Sequence, residues 1–335
     1  MRAWRKILLP FTWLYGAVIL VRNKCYDWGW FATKRYDLPV ICIGNLRVGG
    51  TGKTPMTEFI ADHIKDRYRT ALLSRGYKRR SSGYVLGGPD TRVEDLGDEP
   101  FQFFRKFPEV AVAVDANRTE GIAMLLKEVA PEVILLDDAF QHRKVTAGLN
   151  ILLTVYGDLY VDDRVLPAGN LRDTKNQAAR ADIIVVTKCP SHLMDTEMKD
   201  VKAHLDPLPG QEVYFATIDY DQYLYNKKGE KLPLTAIPQD ASLITGIATP
   251  GPLLHYLKSL DLEFKHLGYP DHHNFAPHEI KVLKKNSFNF TTEKDFMRLE
   301  DQLDDLWYLP IKLRLLDREE QFLEHLNSFI AGYSN

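Results

Sequence analysis

Lys53 and Thr54 follow a glycine cluster, Gly49, Gly50 and Gly52, with Thr51 between the last two. A loop of this kind lets backbone N–H groups converge on phosphate oxygens, and a helix starting there adds partial positive charge. A lysine at its end reaches the terminal phosphates of a nucleotide, and the hydroxyl after it holds Mg²⁺. The usual spacing asks for a glycine five residues before Gly52; Arg47 stands there, so the loop is a variant. Asp137 and Asp138 are adjacent carboxylates, which repel at neutral pH unless a cation or hydrogen-bond donors neutralise them. They suit a Mg²⁺ ion bound directly or through its waters, with a helix cap as the plainer role. Gln141 and His142 follow closely enough to line the same cleft. Asp98 and Glu99 are candidates for a general base and a metal contact, since phosphoryl transfer to a hydroxyl needs a carboxylate near the acceptor. The competing reading of Asp98 is an N-cap before Glu99 and Pro100. Arg75 and Arg118 can meet phosphate oxygens or form surface ion pairs. Asp271, His272 and His273 lie in a loop between Gly268 and Pro277. Consecutive histidines point apart and no cysteine is near, which argues against zinc and for a histidine that orients a carboxylate.

These residues need elements to hold them. A β-branched run, Val40 to Ile43, enters the glycine cluster, and an amphipathic pattern from Thr54 to about Asp66 leaves it. Strands are predicted at Thr70–Ser74, Tyr84–Leu86, Val110–Val114, Val133–Leu136, Ile151–Val155 and Ile183–Val186, with a helix over Phe101–Phe107. Short, wholly apolar strands alternating with helices indicate an α/β fold. The expectation is a phosphate-loop NTPase-like, mainly parallel sheet with helices on both faces. Ligands of such sheets collect at the carboxyl ends of the strands, where Asp115, Asp137, Asp138 and the glycine loop all fall. The expected organisation is a membrane-associated helix region over 1–35 and a nucleotide-binding core over 36–220. A hairpin linker over 221–235 turns at Asn226-Lys-Lys-Gly229; a smaller α/β lobe (236–308) and a return strand with a terminal helix (309–335) follow.

Across its 335 residues the chain is 45% hydrophobic with a formal charge of −2, and neither half is strongly basic, so nucleic acid is not an expected partner. Cys25, Cys42 and Cys189 form no Cys-x-x-Cys pair and read as unbridged thiols. Near the N-terminus, Arg2, Arg5 and Lys6 precede an uncharged run from Ile7 to Val21, closed by Arg22 and Lys24. No small-residue cleavage site follows, and the run falls short of the roughly 20 apolar residues of a comfortable span. Trp4, Trp13, Tyr15, Trp28 and Trp30 around it suit the headgroup boundary of a bilayer. The expectation is a helix lying in, or dipping into, the cytoplasmic face of a membrane; the alternative is a core helix kinked at Pro10 and Gly16.

Several blocks together resemble the tetraacyldisaccharide 4'-kinases, the lipid A kinases of Gram-negative bacteria. They are Gly44-Asn-Leu-Arg-Val-Gly-Gly-Thr-Gly-Lys-Thr-Pro55, Leu73-Ser-Arg-Gly-Tyr77, Gly97-Asp-Glu-Pro100, Leu136-Asp-Asp-Ala-Phe-Gln-His142 and Leu166-Pro-Ala-Gly-Asn-Leu-Arg172. Thr245-Gly-Ile-Ala248, Asp271-His272 and Thr292-Glu-Lys-Asp295 continue the series in the family's order, across nearly the whole chain. Ala139, where glycine is common, and Asn170, where proline is common, depart from the pattern without removing a charge. The resemblance implies transfer of the γ-phosphate of ATP, with Mg²⁺, to the 4'-hydroxyl of tetraacyldisaccharide 1-phosphate, forming lipid IVA. It implies Asp98 as base with His272 supporting it from the smaller lobe, and Lys53 and Thr54 on phosphate and metal. Glu99, Asp137 and Asp138 fall where the family makes metal and nucleotide contacts; Arg75, Tyr77, Arg118, Gln141, His142 and Arg172 are substrate or phosphate candidates. An acylated disaccharide and the cytoplasmic face of the bacterial inner membrane are then the expected partners, with no obligate protein partner. If the lobes must close to join Asp98 to His272, hinge motion gates catalysis. The loop at Val48 also resembles that of the membrane-cycling partition ATPases, whose signature lysine is replaced here by Val48. A GTPase is prompted by Val185-Val-Thr-Lys188, but Pro190 stands where guanine recognition wants an aspartate. Neither alternative accounts for Asp98, His272 or the second lobe.

Overall fold

The computed structural model describes residues 7–333. Helix α1 (Leu9–Asp27) leads into β1 (Val40–Asn45), α2 (Lys53–Ile64), β2 (Thr70–Ser74), the short β3 (Val85–Leu86), α3 (Val93–Leu96), α4 (Asp98–Lys106), β4 (Ala111–Val114), α5 (Arg118–Glu128) and β5 (Val133–Asp137). Next come β6 (Leu149–Val155), β7 (Ile183–Thr187), α6 (Asp195–Leu205) and β8 (Glu212–Tyr220). A second run holds β9 (Tyr223–Asn226), β10 (Lys231–Pro233), β11 (Ser242–Thr245), α7 (Gly251–Ser259), β12 (Lys265–Gly268), α8 (Pro277–Leu283), β13 (Asn289–Thr292), α9 (Glu293–Leu299) and β14 (Leu306–Leu309). Strand β15 (Ile311–Leu315) and helix α10 (Glu319–Ala331) close the chain.

Among the described residues the larger sheet has nine strands in the order β15-β8-β7-β6-β1-β5-β2-β4-β3. Its interior pairs are parallel, and only the edge pairs β3–β4 and β8–β15 are antiparallel. Burial on both faces explains the unbroken apolar runs: every residue of β1, β2, β5 and β7 is buried. Alternate side chains serve opposite layers. Ile41 and Ile43 join Met56, Ile60 and Ile64 of α2, whereas Val40 and Cys42 join Ile122 and Leu125 of α5. Strand order reverses at β1, which lies between β5 and β6, and Ile43 pairs with Asp137. That register brings the glycine loop and the paired aspartates to one crevice, the expected ligand position of such a sheet.

The smaller sheet runs β10-β9-β14-β13-β11-β12. The turn at Asn226–Gly229 does form a hairpin, and both of its strands belong to this sheet's edge. The backbone passes between sheets at Asp221 and again at Pro310, and the Asp221 N–H donates to the Pro310 carbonyl at 3.1 Å. β15 returns to the larger sheet beside β8, and α4 of one lobe packs on α9 of the other.

Helix α1 is inside-out for a core helix. Its buried residues include Thr12 and Asn23, while Phe11, Trp13, Leu14, Val18, Leu20 and Val21 are exposed. It docks through hydrogen bonds: Ala168 N–H to Thr12 Oγ1 at 2.9 Å, and Asn23 Nδ2 to Asp173 Oδ1 at 2.7 Å. No described helix is long and apolar enough to cross a membrane. Of the expected flanking residues, Arg2, Trp4, Arg5 and Lys6 lie outside the described residues.

Candidate active site

Gly52 caps α2 in the left-handed region at φ +85°, with Thr187 side-chain atoms 3.4 Å from where a Cβ would stand. A glycine meets both constraints at little cost. The loop is tied down on all sides. Asn45 Nδ2 donates to Thr51 Oγ1 at 2.6 Å, Thr187 Oγ1 to the Thr51 carbonyl at 2.7 Å, and Lys188 Nζ to the Gly50 carbonyl at 2.6 Å. Arg47, the residue that breaks the usual spacing, is bonded to Asp158, which anchors the loop from outside. The loop amides and the start of α2 open into a cleft of about 870 Å³ between the two lobes.

Into this cleft β5 delivers Asp137 and Asp138. Asp137 accepts from Ser74 Oγ at 3.1 Å, and its carboxyl is pushed up by burial, then by repulsion from Glu99 and Asp138. Burial also acts on Asp138, but Lys53 at 3.7 Å and Arg172 at 2.6 Å outweigh it and hold that carboxyl far below the ordinary range. One aspartate is thus clamped by two cations at its carboxylate, while at the other the pull of Lys53 is outweighed by burial and by the neighbouring carboxylates. A magnesium ion fits this set. The Thr54 hydroxyl, Glu99, Asp137 and Asp138 offer only hard oxygen donors, and a cation would relieve the strain on Asp137. Among the described residues no three His, Cys, Asp or Glu side chains converge to hold a metal by themselves. Mg²⁺ asks for less: it is commonly bound by one or two carboxylates and completed by phosphates and water.

From the opposite wall, Asp98 meets the second lobe. Gly97, at φ +87°, is the N-cap of α4; a Cβ there would stand 2.8 Å from the Tyr77 carbonyl. The glycine lets the 75–80 loop lie directly on the helix start and leaves Asp98 as the first helical residue, so the capping role is excluded. Its carboxylate instead crosses the cleft, accepting from His272 Nδ1 at 2.7 Å and Arg298 Nε at 2.9 Å. Burial would raise this carboxyl, yet those two donors hold it down to about 2. Arg298 also reaches the buried Asp295 at 3.1 Å, and Lys294 Nζ joins Glu99 to His272 Nε2. His272 at φ +57°, Asp138 at φ +48°, Lys78 at φ +59° and Lys188 at φ +57° are non-glycine residues in the left-handed region that line one cleft. Such strain is kept where the surrounding contacts over-determine it.

Lys53, Thr54, Arg75, Tyr77, Asp98, Glu99, Asp137, Asp138, Arg172 and His272 all line the cleft, with Gly49, Gly50, Thr51 and Gly52. Three candidates do not. Arg118 is 2% exposed, its guanidinium bonded to the Asp115 and Asp137 carbonyls behind the sheet end, so it cannot greet a phosphate at the cleft surface. Gln141 spends its amide on the Asn45 carbonyl at 2.7 Å. His142 is half-buried and does not line the cleft, and burial, then Arg118 and Arg75, push its imidazole down to about 4. Sequence reasoning assigned no role to Arg298, met Lys294 only inside the Thr292-Glu-Lys-Asp295 block, and met Lys188 only as a prompt for guanine recognition. Thr292 caps α9 by accepting from the Asp295 N–H, which places Lys294 in the helix's first turn at a strand end and Arg298 in its last turn.

A family model described as tetraacyldisaccharide-1-P 4'-kinase matches residues 4–331. The chain is 48% identical over 325 residues to the tetraacyldisaccharide 4'-kinase of Flavobacterium johnsoniae, covering 95% of each. It is 42% identical to the protein of the same name from Bacteroides thetaiotaomicron, covering 98% of this chain and 93% of the relative. It is also similar to the solved apo form of LpxK from Aquifex aeolicus in complex with ATP, at 32% identity, with 97% of this chain and 99% of that one covered and a TM-score of 0.80.

Proposed function

The chain belongs to the tetraacyldisaccharide-1-P 4'-kinase family, and from that premise we infer that it transfers the γ-phosphate of ATP to the 4'-hydroxyl of tetraacyldisaccharide 1-phosphate. The observation that carries the site assignment is the 2.7 Å contact of His272 with Asp98 across the cleft that the glycine loop enters. In this reading the loop amides from Gly49 to Thr54 and the Lys53 ammonium grip the β- and γ-phosphates. Thr54, Glu99, Asp137 and Asp138 hold Mg²⁺, which when bound neutralises charge on the phosphate oxygens. Asp98 accepts the hydrogen of the sugar hydroxyl and aims its oxygen in line with the γ-phosphorus. A carboxyl held near 2 is a weak base, and that is compatible with a loose transition state, in which little nucleophile activation is needed before the phosphoryl group has largely left. His272 and Arg298 hold the Asp98 carboxylate in place, while Arg75 and Tyr77 at the cleft surface meet the acceptor.

The outward apolar face of α1 supports the placement of the enzyme at the cytoplasmic face of the inner membrane. Exposed Trp13, Val18, Trp28 and Trp30 form a surface that water does not favour and a headgroup boundary does. An acceptor whose acyl chains stay in the bilayer can then offer its sugar to the cleft. The deciding assay supplies purified protein with ATP, Mg²⁺ and the acylated disaccharide 1-phosphate. Phosphate should appear on the disaccharide; nucleotide hydrolysis indifferent to that lipid would overturn the reading.

A further inference from the structure

Lys294 places its ammonium 3.1 Å from Nε2 of His272 and 3.2 Å from Oε1 of Glu99. An ammonium has three donors and no acceptor, so the contact with the ring is a hydrogen bond only if Nε2 carries no hydrogen. A neutral imidazole must then carry its hydrogen on Nδ1. On the other side of the ring an ionised carboxylate only accepts, so the 2.7 Å contact with Asp98 Oδ2 becomes a hydrogen bond when Nδ1 carries the hydrogen. Arg298 Nη2, which only donates, stands 3.2 Å from Nδ1 and 2.8 Å from Asp98 Oδ2, so it can serve the ring or the carboxylate and this side of the imidazole admits either tautomer. If Nε2 held the hydrogen, the bare Nδ1 would face the carboxylate lone pairs, and Arg298 would be drawn to the ring instead. The position of Lys294 is itself fixed from two directions. Glu99 anchors the ammonium from the first lobe. The fully buried Asp295, next in the chain, accepts from the Gly246 N–H at 2.8 Å and from Thr292 Oγ1 at 2.8 Å.

We propose that Lys294 is the positioning residue that sets the His272 tautomer: it closes Nε2 and leaves Nδ1–H aimed at Asp98. The proposal rests on Asp98 and His272 being the reacting pair described above. With Nε2 occupied, the imidazole cannot take the acceptor's proton, and Asp98 is left as the group that does.

The test is histidine tautomer assignment by two-bond ¹H–¹⁵N correlation on full-length, ¹⁵N-histidine-labelled protein at roughly pH 8, above the ordinary histidine value. The His272 signals are identified by their loss in His272→Gln. The native protein should show Nδ1–H. Lys294→Met should show Nε2–H or a mixture, with kcat lowered at least about tenfold and the KM for ATP unchanged within about twofold. Lys294→Arg, which still only donates, should keep Nδ1–H and recover much of kcat. Nε2–H in the native protein, or pure Nδ1–H in Lys294→Met, overturns the proposal. Failure of the underlying pair reads differently: Asp98→Asn would then keep its turnover whatever the tautomer of His272.

Discussion

Asp98 accepts from two strong donors, and that shapes what its replacement should do. Asp98→Asn keeps the shape but removes the charge that draws the acceptor hydrogen and pairs with Arg298. We expect kcat to fall by about 10²–10⁴-fold with the KM for ATP within about twofold, because the group acts on the acceptor and not on the nucleotide. Steady-state kinetics against both substrates checks this, and loss in the ATP KM alone would move Asp98 to the nucleotide side. Lys53→Ala should behave differently. It removes the ammonium from the phosphate path and one of the cations that hold Asp138 ionised, so turnover should be nearly abolished. Equilibrium titration with an ATP analogue should also show weakened binding. The sequence made Lys53, Thr54 and the paired aspartates legible, because their chemistry depends on neighbours a few residues away. Arg298 was not legible as a partner of Asp98, nor Lys294 as a partner of Glu99. Those contacts join residues 200 and 195 apart in the chain, and no local pattern encodes them.

At the scale of elements, α2, α4 and α9 meet around an overcrowded charge cluster. Lys106 of α4 pairs with Glu58 of α2 at 2.8 Å and with Glu293 of α9 at 3.0 Å. Two buried carboxylates share one ammonium. Burial, then repulsion from Glu293, raises the Glu58 carboxyl above its ordinary range against the pull of Lys106. A raised acid binds its proton more tightly folded than unfolded, so stability falls as pH rises from the ordinary carboxylate pKa through the raised one. Glu58→Gln removes that penalty and leaves Lys106 one counter-ion. The variant should melt higher than the native protein at pH 8, by about 2–4 °C for each kcal/mol recovered. The gain should shrink towards pH 5, where Glu58 is already protonated in the folded state. A difference in melting temperature that stays constant over that range would contradict the cluster's role. Helix α1 obeys another logic. Trp13→Ser with Val18→Ser touches no buried contact of the helix, so melting temperature should stay within about 1 °C for surface changes of this kind. Binding to anionic vesicles should drop severalfold in a sedimentation assay, and undiminished binding would mean that the apolar face serves something else.

Across the whole molecule, the lobes are joined by two neighbouring strand crossings and held at the cleft by ion pairs between α4 and α9. Besides Asp98 with Arg298, these include Arg105 with Glu300 at 3.4 Å and Glu99 with Lys294 at 3.2 Å. A short bifunctional crosslink between cysteines placed at Arg105 and Glu300 would fix this closed arrangement; the native thiols, all buried, would be spared. If product must leave by opening about the Asp221–Pro310 crossing, multiple turnover should fall by about tenfold or more. The single phosphoryl transfer of enzyme loaded beforehand should survive. Equal steady-state rates before and after crosslinking would show that no opening is needed.

The apolar strand runs, the glycine loop and the acidic pairs determined by themselves that the chain builds a mainly parallel α/β sheet with phosphate chemistry at its strand ends. Burial on both faces and backbone approach to an anion each demand particular residue types at short spacing, so the sequence carries them openly. The tertiary structure alone decided which candidates share the cleft. It turned Arg118 to backbone carbonyls behind the sheet end, drew Asp98 away from a helix cap to His272 and Arg298, and set the polar side of α1 inward. Each of these outcomes depends on where a distant segment lands once both sheets have formed, and that is a property of packing in three dimensions and not of any stretch of residues.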